Sequence, residues 1–332
     1  MARIAVIFTG GTISMRASEA GNVPVLRGAE LLATVAGLDL VAEVEPIDWG
    51  LVSASHLTFD QVLEIGTILA GALARPEIDG AVVVQGTDTI DETAFAWDLL
   101  PLGPKPVVVV GAMRSASQEA YDGPENLRNA VAVAASPDAR EQGVLVAMAG
   151  EIHAADDVRK THTHAHATFQ SPNLGRLGMV ADGRAAFARR RNPVRLARIP
   201  DAAALPVPIL SVMLDAAPAP LAADPAGLVV AAAGGGNTPP AHLDLARPLI
   251  DRGVPVVLTT RCPSGRPLPG YGFPGGSSQW WESGALFSGT LDALKARVLV
   301  ALGVGAGLGT DELATLFEPS GGGRIRTGGG HA

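Results

Sequence analysis

Valine and isoleucine gather in short runs along the first half of the chain: Ile4 to Phe8, Ala81 to Val84, Val107 to Val110 and Val144 to Met148. No polar position alternates through these runs, and each is too short for a helix. They predict strands buried on both faces of a parallel sheet. Between them lie stretches with helical spacing and legible starts. Thr58 followed by Gln61 fits a capping box ahead of VLEIGTILAGALA, and Thr89 followed by Glu92 fits another. Asp122-Gly-Pro-Glu-Asn predicts a third helix, with Pro124 in its first turn. Pro101 ends the helix that Thr89 begins. Strands alternating with helices imply βαβ units with right-handed crossovers.

The pattern breaks between Ala185 and Pro208, where Arg189, Arg190, Arg191, Arg195 and Arg198 mix with Pro193, Pro200, Pro206 and Pro208. This stretch reads as a solvated connection between domains. Beyond it, PILSVML, GLVVAAAGGG and VPVVLTT resume as strands, with helices expected from near Pro240, Thr290 and Asp311. The expected fold class is α/β. A larger N-terminal domain, 1–188, carries a mostly parallel sheet flanked by helices; 189–208 links it to a smaller C-terminal α/β domain, 209–332.

Composition narrows the partners. The 332 residues are 47% hydrophobic, enough for large cores, and only 17% charged, against an average of roughly 25%. A chain so sparing of charge is expected to hide surface in an oligomer. The net charge of −8 argues against nucleic acid as the main partner, because phosphate binding needs a basic face. Cys262 stands alone, which excludes an internal disulfide and a multi-cysteine metal site. The start, MARIAVIFTGG, has too short an apolar run for a signal peptide. No run of ~18 apolar residues predicts a membrane span, so the expected setting is cytoplasmic.

Several chemistries are missing. No serine has a G-x-S-x-G surround and no GK[ST] occurs. Gly303, Gly305, Gly307 and Gly309 alternate after a helical pattern rather than a strand, unlike a dinucleotide fingerprint. His162, His164 and His166 would share one face if their segment were extended. They read as a polar strand face rather than a metal site, since no carboxylate or cysteine has clear ligand spacing beside them.

Two strand ends remain. RIAVIFTGGTIS puts Thr9, Gly10, Gly11 and Thr12 after the first strand; VVVQGTDTIDE puts Gly86, Thr87, Asp88 and Thr89 after a later one. Ligands of open α/β sheets bind outside the carboxyl ends of strands, and the glycines allow close backbone approach. A hydroxyl there can be a nucleophile only if something takes its proton. Among the three lysines, Lys105, Lys160 and Lys295, it is Lys160 that follows the strand at Val144 to Met148 closely enough to return to the same rim. Thr87, Lys160 and Asp88 can form a triad, with the lysine as base and Asp88 orienting it. They can equally be a helix start, with Thr87 and Thr89 capping and Asp88 aiding the dipole.

The two threonine motifs resemble those of the bacterial-type L-asparaginases, the asparaginase/glutaminase family. GAMR at Gly111 to Arg114, DGPENL at Asp122 to Leu127 and KTHTHAHATFQSPNLGRLG at Lys160 to Gly178 also match in order and spacing. The resemblance spans nearly the whole chain. It implies hydrolysis of L-asparagine to L-aspartate and ammonia with some glutaminase activity, no cofactor, and two α/β domains. Residue by residue, it implies that Thr12 is the nucleophile, that Thr87, Lys160 and Asp88 form a supporting triad, and that Asp88 faces the substrate's α-amino group. Backbone N–H groups near Ala112 and Thr87 would hold the oxyanion. Gly11, Gly86 and Ser55, or its neighbours Ser53 and His56, would contact substrate. Asn237 matches a position that completes a neighbouring subunit's site in a homotetramer of close dimers.

The chain departs from the family in two places. The family's loop tyrosine is missing from Met15 to Leu26, where Ser18 and Glu19 are candidate substitutes. An acidic residue expected near Ser277 and Ser278 is absent, with Glu282 nearest. A non-catalytic amino-acid sensor, or an enzyme for another side-chain amide, are the alternatives. Thr12, Thr87, Asp88 and Lys160 together favour catalysis, because binding alone needs no second hydroxyl beside a lysine.

Overall fold

In the computed structural model the described residues are 1–11, 13, 15–18, 21–24, 27–221 and 224–323, with 15–18 and 21–24 described by backbone alone. Thr12 and Glu19 lie outside them. The chain divides into two units, Met1–Ile199 and Pro200–Ala332.

The first unit runs β1 (Arg3–Phe8), β2 (Met15–Ser18), β3 (Gly21–Pro24), α1 (Gly28–Ala33), β4 (Glu43–Asp48), α2 (Phe59–Ala74), β5 (Gly80–Val84), α3 (Ile90–Asp98), β6 (Val107–Val110), α4 (Gly123–Ala134), β7 (Val144–Met148), β8 (Glu151–Ala154), β9 (Arg159–Lys160), β10 (Phe169–Gln170), β11 (Gly178–Ala181) and β12 (Arg184–Phe187). Eight strands form one sheet in the order β12-β11-β8-β7-β6-β5-β1-β4. The five from β4 to β7 are parallel, and β8, β11 and β12 join antiparallel. The strands foreseen from valine runs are the central ones: Ile4–Ile7, Val82–Val84 and Val108–Val110 are wholly inaccessible.

Helix α2 starts as its sequence predicts. The Thr58 hydroxyl accepts the Gln61 N–H at 3.3 Å and the Gln61 side chain accepts the Thr58 N–H at 3.0 Å. Helix α3 does not. Thr87–Thr89 forms a separate 3-10 turn, and the Thr89 hydroxyl donates to the Ala54 carbonyl at 3.1 Å instead of capping. The indole of Trp97 donates to Val62 O at 2.8 Å, tying α3 to α2.

The arginine-rich stretch also departs from expectation. Arg191 is buried, with Nη2 2.6 Å from Asp98 and 3.2 Å from Asp156, because Asp98 is itself buried and needs a cation. Arg189 and Arg190 donate to the carbonyls of Gly175 and Arg140.

The second unit holds β13 (Ile209–Ser211), β14 (Leu228–Ala232), α5 (Pro240–Asp251), β15 (Val256–Thr260), α6 (Ser277–Glu282), β16 (Leu286–Phe287), α7 (Ala293–Gly305) and α8 (Thr310–Phe317). Its four strands are parallel in sequential order. Val230, Leu258, Leu249, Trp280 and Phe287 share one core. No helix among the described residues is long and apolar enough to cross a membrane.

Candidate active site

The parallel strands stand in the order β4-β1-β5-β6-β7. The chain lays β4 on one side of β1 and every later parallel strand on the other. The reversal falls between β1 and β5, and the crevice beyond the carboxyl ends at such a reversal is where open α/β sheets bind ligands. Both threonine motifs follow these two strands.

Glycines let the two turns touch. Thr9 donates both its N–H and its hydroxyl to Val84 O, at 3.0 and 3.1 Å. Gly10 and Gly11 have φ of +105° and +90°, the left-handed region that a Cβ disfavours. A Cβ on Gly10 would stand 2.8 Å from Val52 N, and one on Gly11 would fall on the backbone of Gly86. Gly86 in turn packs on the short turn Ala54–His56: a Cβ there would lie 2.9 Å from that of Ala54. Ser55 is exposed on this turn, its hydroxyl 3.1 Å from that of Ser53.

Lys160 arrives on β9, held antiparallel to β10. Its ammonium donates to Thr87 Oγ1 and to Asp88 Oδ1, each at 2.9 Å. Exposure is graded across the three: Thr87 is 4% exposed, while the side chains of Lys160 and Asp88 are 18% and 62% exposed. The amine is therefore placed to exchange a proton with a buried hydroxyl while Asp88 offers its negative charge to the open side of the crevice.

Ala112 is fully buried in the loop after β6. A Cβ on its neighbour Gly111 would be 2.9 Å from Thr87 Cγ2, so glycine again permits the approach. The loop is clamped by Asp122, whose carboxylate accepts the N–H groups of Met113 and Arg114 at 3.0 and 2.9 Å. Asn126 donates to Gly111 O at 3.2 Å. Although its sequence context reads as a helix start, Asp122 makes no side-chain cap.

The structure thus brings Gly11, Gly86, Thr87, Asp88, Lys160 and Ala112 together, with Ser55 nearby on the turn that packs on Gly86. Thr12 lies outside the described residues, as does Glu19, and Ser18 is described only by its backbone in β2. Asn237 belongs to the second unit, in the turn after β14, where its backbone pairs with Ala233. Its side-chain Oδ1 is buried without a hydrogen-bond partner among the described residues. Glu282 ends α6. The three histidines do not share a strand face: His162 Nδ1 accepts the N–H groups of His164 and Ala165 at 3.0 and 2.9 Å, which curls the segment into a turn.

One contact with the first motif is not signalled by any spacing in the sequence. Tyr121 donates its hydroxyl to the Ile13 carbonyl at 2.6 Å, reaching the first motif from the loop before α4.

Residues 3–193 match the family model described as Asparaginase, N-terminal, and residues 209–317 match the Glutaminase/Asparaginase C-terminal domain. A Deinococcus radiodurans protein named probable L-asparaginase is 35% identical over 323 residues, 95% of this chain and 97% of its own. A Haemophilus influenzae protein named probable L-asparaginase periplasmic is 34% identical over 326 residues, 90% and 87% of the two chains. The solved probable cytoplasmic L-asparaginase of Campylobacter jejuni superposes with a TM-score of 0.79 at 28% identity, over 96% of this chain and 99% of that one. With both domain models matched in sequence and relatives shared over nearly their full length, the chain belongs to the asparaginase family.

Proposed function

We propose that the chain is an L-asparagine amidohydrolase that works by double displacement on Thr12. The Thr12 oxygen attacks the side-chain amide carbon and gives up its proton. Ammonia leaves with the amide nitrogen, and water then cleaves the aspartyl ester to release L-aspartate and restore the hydroxyl. The observation that carries this reading is the position of Lys160, 2.9 Å from both Thr87 Oγ1 and Asp88 Oδ1, where the β1 and β5 turns meet.

In this scheme Lys160 and Thr87 manage the proton, and Asp88 receives the substrate's α-ammonium. Backbone N–H groups near Ala112 and Thr87 stabilise the oxyanion. Ser55 receives the α-carboxylate. The assembly we infer is a homotetramer of close dimers in which a neighbour's Asn237 completes each site. Minor glutaminase activity fits the same chemistry; a Pseudomonas fluorescens relative, 36% identical over 194 residues (57% of this chain and 53% of its own), is named glutaminase-asparaginase.

The test is ammonia release from L-asparagine and L-glutamine side by side, with hydroxylamine added to trap the acyl-enzyme as a hydroxamate. Asparagine turnover and trapping, both lost in Thr12→Ala, are expected. Release of ammonia by Thr12→Ala near the parent rate would overturn the nucleophile. Binding of aspartate with no turnover of either amide would favour an amino-acid sensor.

A further inference from the structure

Tyr121 is held by a segment built around it. Its hydroxyl joins the loop before α4 to the turn after β1 across 108 residues of sequence, at 2.6 Å. The residue before it, Ala120, has φ +55°, a left-handed conformation that a residue with a Cβ keeps only when its surroundings impose it. Asp122, the residue after it, clamps the N–H groups of Met113 and Arg114. Two residues on, Gly123 lies against the phenol ring, and a Cβ there would run into the ring. Burial, with the charge of Asp122 adding to it, pushes the phenol above its ordinary pKa, so it remains a proton donor at neutral pH.

The partner of that donor matters. Ile13 has no exposed surface and directly follows residue 12. On the other side of residue 12, Gly11 rests on the Gly86 backbone. A Gly-Gly turn has more backbone freedom than any other pair, and a nucleophile displaced by about 1 Å can lose on the order of 10²-fold in rate.

We propose that Tyr121 is a positioning residue for the reaction: its hydroxyl pins the backbone on the C-terminal side of Thr12, as the Gly11–Gly86 contact pins it on the N-terminal side. Because Asp122 fixes the Ala112 loop, the single segment 120–123 sets both the nucleophile's turn and the proposed oxyanion donors. The inference rests on the amide-hydrolysis reading for its rate effect and on geometry alone for its anchoring effect.

The experiment compares full-length parent, Tyr121→Phe and Tyr121→Leu by ammonia release from L-asparagine, thermal melting and amide hydrogen exchange. Tyr121→Phe keeps the ring and loses one hydrogen bond. It is expected to lower kcat about tenfold, leave KM within about twofold and the melting point nearly unmoved, and quicken exchange in the peptides covering 9–24. Tyr121→Leu, which also loses the ring packing, is expected to lower the melting point as well. A kcat within about twofold of parent in Tyr121→Phe overturns the positioning role. If the parent itself releases no ammonia, the hydrolase reading fails and exchange decides: unchanged protection around Ile13 overturns the anchor, while faster exchange supports it.

Discussion

Lys160 and Thr87, 73 residues apart in sequence, meet at 2.9 Å with the lysine donating to a hydroxyl that is almost wholly buried. That contact is made by a two-residue strand on one side and a 3-10 turn on the other, neither of which has much stability of its own. Lys160→Met keeps the apolar stem and removes the amine. The expected result is a kcat lower by roughly 10²–10⁴-fold, the usual contribution of a placed proton-transfer group, with a melting temperature close to the parent's. A loss under about tenfold would make Lys160 a structural partner of Asp88 and nothing more.

The contact between the β1 and β5 turns can be separated from simple backbone strain. Gly11 and Gly103 both have positive φ, +90° and +78°, but a Cβ on Gly103 meets open space whereas one on Gly11 falls on Gly86. Gly103→Ala is expected to cost about 1 kcal/mol through backbone conformation alone, with activity intact. Gly11→Ala should cost about 2–4 kcal/mol, strain and overlap together, and should abolish turnover by parting the turns. Equal stability losses in urea denaturation would mean that the turns do not depend on this close approach.

Legibility followed burial. Strands inaccessible on both faces announced themselves as valine runs, and the Gly-Gly and Gly-Thr turns at their ends marked the crevice. Strand β4 did not, because it is an edge strand whose Glu43 and Glu45 pair with Arg3 and Arg75, so its pattern is not apolar. The antiparallel strands β8, β11 and β12 are short, β11 and β12 are partly exposed and buried β8 carries Glu151 and His153, so no run of hydrophobics betrays them. Thr89 has the local pattern of a cap, yet a carbonyl 35 residues away captures its hydroxyl. Tyr121 and Arg191 were missed for the same reason: their partners are 108 and 93 residues distant, and such pairings exist only once the chain is folded.

The Asp98–Arg191 pair yields a stability prediction. The two side chains are 1% and 7% exposed, 2.6 Å apart, and Asp98 also accepts the N–H of Val144 at 2.7 Å. Asp98→Ala leaves the buried guanidinium with Asp156 alone, at 3.2 Å, and leaves the Val144 N–H unpaired, at a cost of about 3 kcal/mol. Asp98→Asn, which can still accept from Val144, should cost less. Denaturant unfolding of both variants checks the order. An alanine variant as stable as parent would mean that Asp156 suffices to hold Arg191.

Acid stability depends on His153. Its ring is buried, with Nδ1 3.0 Å from the Ser171 hydroxyl, and desolvation lowers its pKa from 6.5 to about 4 although Glu151 lies 3.4 Å from Nε2 and pulls the other way. At neutral pH the imidazole is uncharged, so its approach to Glu151 is not an ion pair there. Between pH 6.5 and 4 the unfolded chain binds a proton at this site and the folded chain does not. Folding stability from this residue is therefore complete above about pH 6.5 and falls as the pH drops, by about 3 kcal/mol at pH 4. His153→Gln removes the titration without adding charge. Unfolding free energies of parent and variant, measured from pH 7.5 to 4.5, should converge as the pH falls, because only the parent carries this penalty. Curves that stay parallel would mean that the folded protein protonates His153 as readily as the unfolded chain does.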